Sequence, residues 1–215
     1  MLSRSSAAEA RLLAEHAQQT GADAIAAVAP NFFKPQRVDE LVEWCAEVAA
    51  GAPNLPFYYY HIPSITHVVI PTAEFVAAAR ARIPTLAGVK FTHEDLGDYA
   101  ATRTVAGTDY DILFGRDELL LEGLRAGATG AVGSTYNYAA PLYQKLIAAV
   151  RSGDFDAAAH QQAQARAFIE VMIRFGGLPA GKAIMKLIGI DCGPVRLPLR
   201  RFQVEDEAAL RAALA

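Results

Sequence analysis

Apolar positions along this chain follow two periods. Short, nearly continuous apolar runs, ADAIAAVAP (22–30), PFYYYHIP (56–63), AGVKF (87–91), DILFG (111–115) and GAVGS (130–134), are bounded by turn-forming residues and read as strands. Between them the apolar positions recur at helical spacing, over 38–50 with Leu41, Val42, Cys45 and Val48, and over 72–82, 96–105 and 118–126. Strand starts recur at spacings that shorten from about 35 to about 20 residues, the size of successive βα units. The pattern therefore predicts an α/β fold with a parallel sheet. After the last run it turns helical over 141–151, 155–175 and 182–188, with Gly176, Gly177 and Pro179 as a break and no further strand signal. At the amino end, Ser6 followed by Glu9 predicts a capping box that opens a helix with Leu12, Leu13, His16 and Ala17 on or near one face.

Composition narrows the class. With 215 residues, 53% hydrophobic and 20% charged, the chain can bury a sizeable core and reads as one globular domain. The net charge of −3 comes from interspersed signs without a Lys/Arg block, which argues against a nucleic-acid partner. Cys45 and Cys192 stand far apart with no CxxC or Cys/His cluster, so neither a disulfide framework nor a zinc site is expected, and the usage fits a reducing cytoplasm. No apolar run approaches the roughly 18 residues of a membrane span, and MLSRSSAAEARLL lacks the apolar core of a signal peptide. No GxGxxG follows any strand, which argues against a dinucleotide.

The candidate chemistry lies at two strand ends. In FYYYH the strand period of two puts Tyr58 and Tyr60 on one face and Phe57, Tyr59 and His61 on the other. Tyr60 and Lys90 both fall at the carboxyl ends of their strands, where parallel α/β folds bind ligands. A lysine placed in an apolar strand loses hydration, so it needs a partner or a task. An amine there can attack a ketone to form an iminium, and a neighbouring phenol can carry the proton that aldol cleavage moves. From pattern alone, Lys90 also fits a snorkelling or ion-paired residue. His61, facing away from Tyr60, reads as a core or interface histidine; His67 and His93 lack metal-ligand spacing, and Trp44 and Cys45 read as helix packing.

The ordered set PFYYYHIP, GVKFT, FGRDE, GATGAVGSTYNY, GKAIM and RLPL resembles the N-acetylneuraminate lyases, pyruvate-dependent aldolases of the dihydrodipicolinate synthase superfamily, over nearly the whole chain. The resemblance implies a (β/α)8 barrel of TIM type, a homotetramer, no metal or organic cofactor, and sialic acid and pyruvate as small-molecule partners. It implies that Lys90 forms the iminium with pyruvate and that Tyr60 relays a proton between a sugar hydroxyl and the substrate carboxylate. It further implies that Thr92, Gly115, Asp117, Glu118 and Ser134 hold the sugar hydroxyls. Taken alone, Asp117 and Glu118 also fit the charges favoured at a helix N-terminus, and Gly133-Ser134 fits turn chemistry.

Three departures shape the expectation. The synthases of the superfamily carry an arginine two residues after the proline of YxxP, and here that place is Ile65. They carry a tyrosine after a VTP-like turn, and here APNFF supplies Phe32 and Phe33. Both favour a lyase. Five strands are counted against the barrel's eight, so the expectation is the last five βα units only, over residues 1–151, followed by a helical region packed on the barrel over 152–215. The glycine-rich turn that binds the pyruvate carboxylate falls in the part not found. Two other readings stay open: an aldolase for another 2-keto sugar acid, and a catalytically silent homologue acting as a binding or assembly subunit.

Overall fold

The computed structural model describes residues 6–214; the reading of the first residues as lacking a leader lies partly outside them. The chain forms two compact units. One runs to Arg116 and includes Arg125–Val132, and the other holds Asp117–Leu124 and runs from Gly133 onward.

The first unit is built on four parallel strands, β1 (Ile25–Val28), β2 (Phe57–His61), β3 (Leu86–Phe91) and β4 (Asp111–Phe114), in sheet order β1-β2-β3-β4. Its helices are α1 (Ala7–Gln19), α2 (Val38–Ala49), the short α3 (Pro63–Thr66), α4 (Thr72–Ala79) and α5 (Leu96–Ala106). The parallel α/β expectation is met, with one strand fewer than counted. GAVGS yields only a single parallel bridge, Ala131 to Phe114. Gly130 and Gly133 flank it, and glycine weakens a strand by its backbone entropy and its lack of a side chain to pack.

The period of two divides this sheet into unlike faces. Phe57, Tyr59, His61, Val89, Phe91, Ile112 and Phe114 are buried. Rings continue that layer: Tyr59 lies 4.6 Å from Phe75 of α4, and Tyr99 of α5 lies 5.2 Å from Phe91 and 5.1 Å from Phe114. The Tyr99 hydroxyl donates to the Ile112 carbonyl at 3.0 Å, so its polar tip is satisfied within the core. Helix α4 opens after Pro71 without a cap of its own. Asp98 of α5 serves instead, accepting from the Thr72 N–H and hydroxyl at 2.9 Å each and from the Ala73 N–H at 3.3 Å. On the opposite face Tyr58, Tyr60, Lys90 and Leu113 are only half-buried and Asp111 is exposed. Tyr58, Gly88 and Asp111 are register partners across three strands, and the Tyr58 hydroxyl crosses Gly88 to donate to Asp111 Oδ2 at 3.0 Å. A Cβ on Gly88 would fall 1.9 Å from the Asp111 carbonyl oxygen, so only glycine fits.

The second unit is helical. A 3₁₀ turn (Asp117–Leu119) leads into α6 (Leu120–Arg125), and α7 (Tyr136–Ser152), α8 (Phe155–Arg174), α9 (Leu178–Leu187) and α10 (Val204–Leu214) follow Gly133. Met172, Ala180, Ala183, Ile184 and Leu210 form its core, with Tyr138 and Phe168 packed against it. Several boundaries differ from expectation for identifiable reasons. Helix α7 begins five residues before Pro141, which is accommodated by a non-helical Ala139. Helix α9 begins at Leu178, because Pro179 lies in its first turn, where a missing N–H costs nothing. Gly176 and Gly177, at φ 86° and 67°, make the break by themselves. Helix α10 falls within the helical region expected over 152–215, although no glycine or proline marks its bounds. In α1, Ser6 accepts from the Glu9 N–H as expected, but the buried face is Ala10 and Ala14, while Leu12 is 63% exposed. Small residues are needed there because the chain at Gly51 comes so close that a Cβ would fall 2.5 Å from the Arg11 carbonyl.

Candidate active site

Tyr60 and Lys90 are direct register partners on adjacent parallel strands, and both point to the half-open face. The Lys90 Nζ sits 4.0 Å from the centroid of the Tyr60 ring. Among the described residues no carboxylate lies within ion-pair distance of Lys90, so the ammonium meets an aromatic face rather than a counter-ion. That arrangement removes the ion-paired alternative left open by pattern alone. Two residues on, Thr92 returns to the same side of the chain, tied by its N–H to the His61 carbonyl at 2.8 Å. Gly115 continues β4 beside it, its N–H donating to the Phe91 carbonyl at 2.7 Å. A Cβ on Gly115 would fall 2.0 Å from Thr92 Oγ1, so the glycine makes room for that hydroxyl. Thr92 is 9% exposed and its hydroxyl has no hydrogen-bond partner among the described residues. A buried hydroxyl without a partner is costly, and a bound polar group would relieve the cost.

The seven expected site residues fall into two groups. Tyr60, Lys90, Thr92 and Gly115 belong to the sheet unit, and Asp117, Glu118 and Ser134 to the helical unit. Asp117, 6% exposed, accepts at Oδ2 from the Thr135 N–H at 3.0 Å and from the Thr135 hydroxyl at 2.5 Å. It therefore binds the turn after Gly133, which neither of its sequence-based readings included. Glu118 is half-buried and its carbonyl accepts from Arg166 Nε at 2.8 Å. Ser134 is exposed, and its carbonyl accepts from Asn137 Nδ2 at 2.9 Å. The sequence does not single out Thr135, Tyr143 or Gln162: Thr135 and Gln162 find partners 18 or more residues away, and Tyr143 meets Thr135 two turns back along its own helix.

His61, 1% exposed, is enclosed by Tyr59, Phe91 and His93, and burial pushes its imidazole down to about 4, with Asp98 opposing and His93 adding to the shift. It is a neutral core histidine at ordinary pH. Cys45 is buried, and burial raises its thiol well above the usual range. Among the described residues no group of three His, Cys, Asp or Glu side chains could hold a metal ion, and no helix is long and apolar enough to cross a membrane.

Residues 4–215 match the dihydrodipicolinate synthetase family. The chain belongs to that family. It is 44% identical over 209 residues to the N-acetylneuraminate lyase of Mus musculus, covering 96% of this chain and 65% of the relative, and 44% identical over 211 residues to that of Homo sapiens, covering 95% and 66%. It thus spans about two thirds of the length of these curated relatives. Among solved structures it is similar to the N-acetylneuraminate lyase of Proteus mirabilis, with a TM-score of 0.94 and 42% identity over 99% of this chain and 72% of that one. A dihydrodipicolinate synthase from Bacillus anthracis, 23% identical with a TM-score of 0.89, covering 99% of this chain and 72% of that one, shares the fold.

Proposed function

We propose that this chain carries the Schiff-base centre of a class I aldolase that cleaves N-acetylneuraminate to N-acetylmannosamine and pyruvate. The observation that supports it most is the Lys90 ammonium resting on the Tyr60 ring at a strand end, with no carboxylate beside it among the described residues, in a chain 44% identical to proteins named N-acetylneuraminate lyase. In this reading the deprotonated Lys90 amine attacks the keto carbon of the open-chain sugar acid, and loss of water leaves an iminium. Tyr60 takes the proton from the hydroxyl on the carbon two bonds from the keto carbon. As that hydroxyl becomes an aldehyde, the carbon–carbon bond breaks and its electron pair flows into the iminium to form an enamine. Protonation of the enamine carbon and hydrolysis release pyruvate and restore the amine. Thr92, Gly115, Asp117, Glu118 and Ser134 serve the sugar hydroxyls, which are well matched by carboxylate acceptors and hydroxyl donors. Ile65, 63% exposed where the synthases would carry arginine, suits a neutral polyol better than an aldehyde acid.

The four strands and the Ala131 bridge are read as family strands 4 to 8 of an eight-stranded barrel over residues 1–151, with 152–215 as its C-terminal helical region. In that reading the receptor for the pyruvate carboxylate is the glycine-rich turn after family strand 2, which is not among strands 4 to 8. The assembled enzyme is a cytoplasmic homotetramer that needs no metal or organic cofactor.

The test is borohydride reduction in the presence of pyruvate, run on the 215-residue chain and on the same chain preceded by the N-terminal third of the mouse relative. The reduced pyruvate mass is expected on the peptide that carries Lys90. A label found only on Lys34, Lys145, Lys182 or Lys186 would overturn the assignment. A panel of 2-keto sugar acids then decides the substrate, with N-acetylneuraminate expected to have the highest kcat/KM.

A further inference from the structure

Asp117 does not stand alone in the helical unit. A Cβ on Gly133 would fall 1.6 Å from its Oδ1, so the turn through Gly133, Ser134 and Thr135 is wrapped directly against the carboxylate. Thr135 occupies the N-cap position of α7, yet its hydroxyl caps nothing in that helix. It points to Asp117 Oδ2 instead, and its oxygen also lies 2.6 Å from the hydroxyl of Tyr143. Long helical side chains lean back toward the helix N-terminus, which is how Tyr143, two turns along α7, reaches the cap.

The proton inventory fixes the direction of this chain of bonds. The Thr135 hydroxyl donates to Asp117 Oδ2, so its single proton is spent there. Thr135 Oγ1 must then accept from Tyr143, whose phenol is the donor at the far end. Burial pushes the Tyr143 phenol up to about 12, partly offset by its bond to Thr135, so the donor keeps its proton at neutral pH. All three side chains are 6% exposed or less. Aligned bonds of one sense reinforce each other in such surroundings. The backbone of the 3₁₀ turn is held separately: Gln162 of α8 donates to the Asp117 carbonyl at 3.2 Å and accepts from the Leu121 N–H at 2.8 Å. The 3₁₀ turn thus has a hold of its own, while the N–H and the hydroxyl of Thr135 both engage the Asp117 carboxylate.

We infer that Thr135 and Tyr143 are positioning residues for the sugar half of the substrate, acting through a directed relay, Tyr143 to Thr135 to Asp117, that sets the Asp117 carboxylate and the Ser134 hydroxyl. The inference rests on the aldolase reading above and adds to it two residues that act through others.

The experiment compares wild type with Thr135→Val, Thr135→Ser and Tyr143→Phe in the enzyme form that includes the relative's N-terminal third. Thr135→Val keeps the shape and the backbone N–H bond and deletes only the hydroxyl. It should raise KM for N-acetylneuraminate by roughly 10-fold or more, the scale of a lost hydrogen bond to a charged group. Borohydride trapping of pyruvate should be unchanged, because the keto-acid half does not depend on the relay. Tyr143→Phe should raise KM by a smaller factor, and Thr135→Ser should restore it to near the wild-type value. A general loss of packing would instead lower trapping and turnover together and would not be rescued by serine. Thr135→Val that is folded by circular dichroism with an unchanged KM, or with trapping reduced in step with turnover, overturns the inference and leaves the aldolase reading intact. Failure of the wild type to trap pyruvate on Lys90 overturns that reading, and the inference with it.

Discussion

Lys90 and Phe91 are neighbours in β3, but they face opposite ways. Phe91 is fully buried, ring against ring with Tyr99, whereas Lys90 is half-buried and rests on Tyr60. The same contrast runs across β2, where Tyr59 packs on Phe75 and Tyr60 meets the lysine. One face of the sheet is closed by helices and its residues answer to packing. The other is half-open, and there Tyr58 bonds to Asp111 while Lys90, among the described residues, meets only the face of the Tyr60 ring. The buried layer and the candidate site are thus separated by a single step along each strand, and substitutions on the two faces should report different quantities.

The largest expected effects test that separation directly. Phe91→Ala should cost about 3–5 kcal/mol of unfolding free energy, the usual range for an aromatic removed from a core, as read by urea denaturation. Tyr60→Phe should leave the unfolding midpoint within the range of ordinary surface changes while lowering kcat by roughly 100-fold, with pyruvate trapping retained because Lys90 is untouched. If Tyr60→Phe destabilises the fold as much as Phe91→Ala does, the two faces are not distinct in the way described.

A smaller effect concerns the closed face alone. Burial holds His61 near 4 in the folded state, against an ordinary value of 6.5. The unfolded chain therefore takes up the proton first as pH falls. The stabilisation is fully present above pH 6.5 and declines progressively toward pH 4, by about 2 kcal/mol at pH 5. Urea midpoints measured between pH 7.5 and 5 should show this decline, and His61→Phe should flatten it. A decline of equal size in the variant would assign the acid sensitivity to other groups.

The smallest concerns the loop beyond β2. His67 is the only described non-glycine residue with positive φ, 55°, at the end of α3. A side chain in the left-handed region costs about 1–2 kcal/mol, part of which His67→Gly would return against the extra backbone entropy of glycine in the unfolded chain. A net gain below about 1 kcal/mol is expected, read as a rise of a few degrees in Tm. A loss of stability would mean that the imidazole makes a contact worth more than the strain.

Much of this architecture can be read from local pattern. The alternation in FYYYH separates the Tyr58/Tyr60 face from the Phe57/Tyr59/His61 face, and the burial of those residues follows it. The positions of Tyr60 and Lys90 at strand ends follow from strand boundaries alone, whereas their direct pairing required the register. What pattern does not carry is long-range engagement. Nothing near Asp117 announces Thr135, and that bond exists only once the turn after Gly133 has folded against the 3₁₀ turn. GAVGS has the composition of a strand, but its pairing stops at one bridge, with Gly130 accepting from the Phe114 N–H, and Gly133 turns instead to a close approach to Asp117. In helix α1 the sequence marks Leu12, Leu13, His16 and Ala17 near one face, and of these Leu13 and Ala17 are half-buried beside the fully buried Ala10 and Ala14, which hydrophobicity alone does not single out.

The tight passage at Gly88 has a consequence for how such a protein can change over generations. Any side chain at that position collides with the backbone of the next strand, so descent through position 88 is closed to nearly every substitution, and the Tyr58–Asp111 bridge above it is inherited with it. Leu113, the register partner of Lys90 on the same face, is under no such backbone constraint. A lineage can trade its bulk for a larger or smaller residue and reshape the surroundings of the amine while Lys90 and Tyr60 stay as they are.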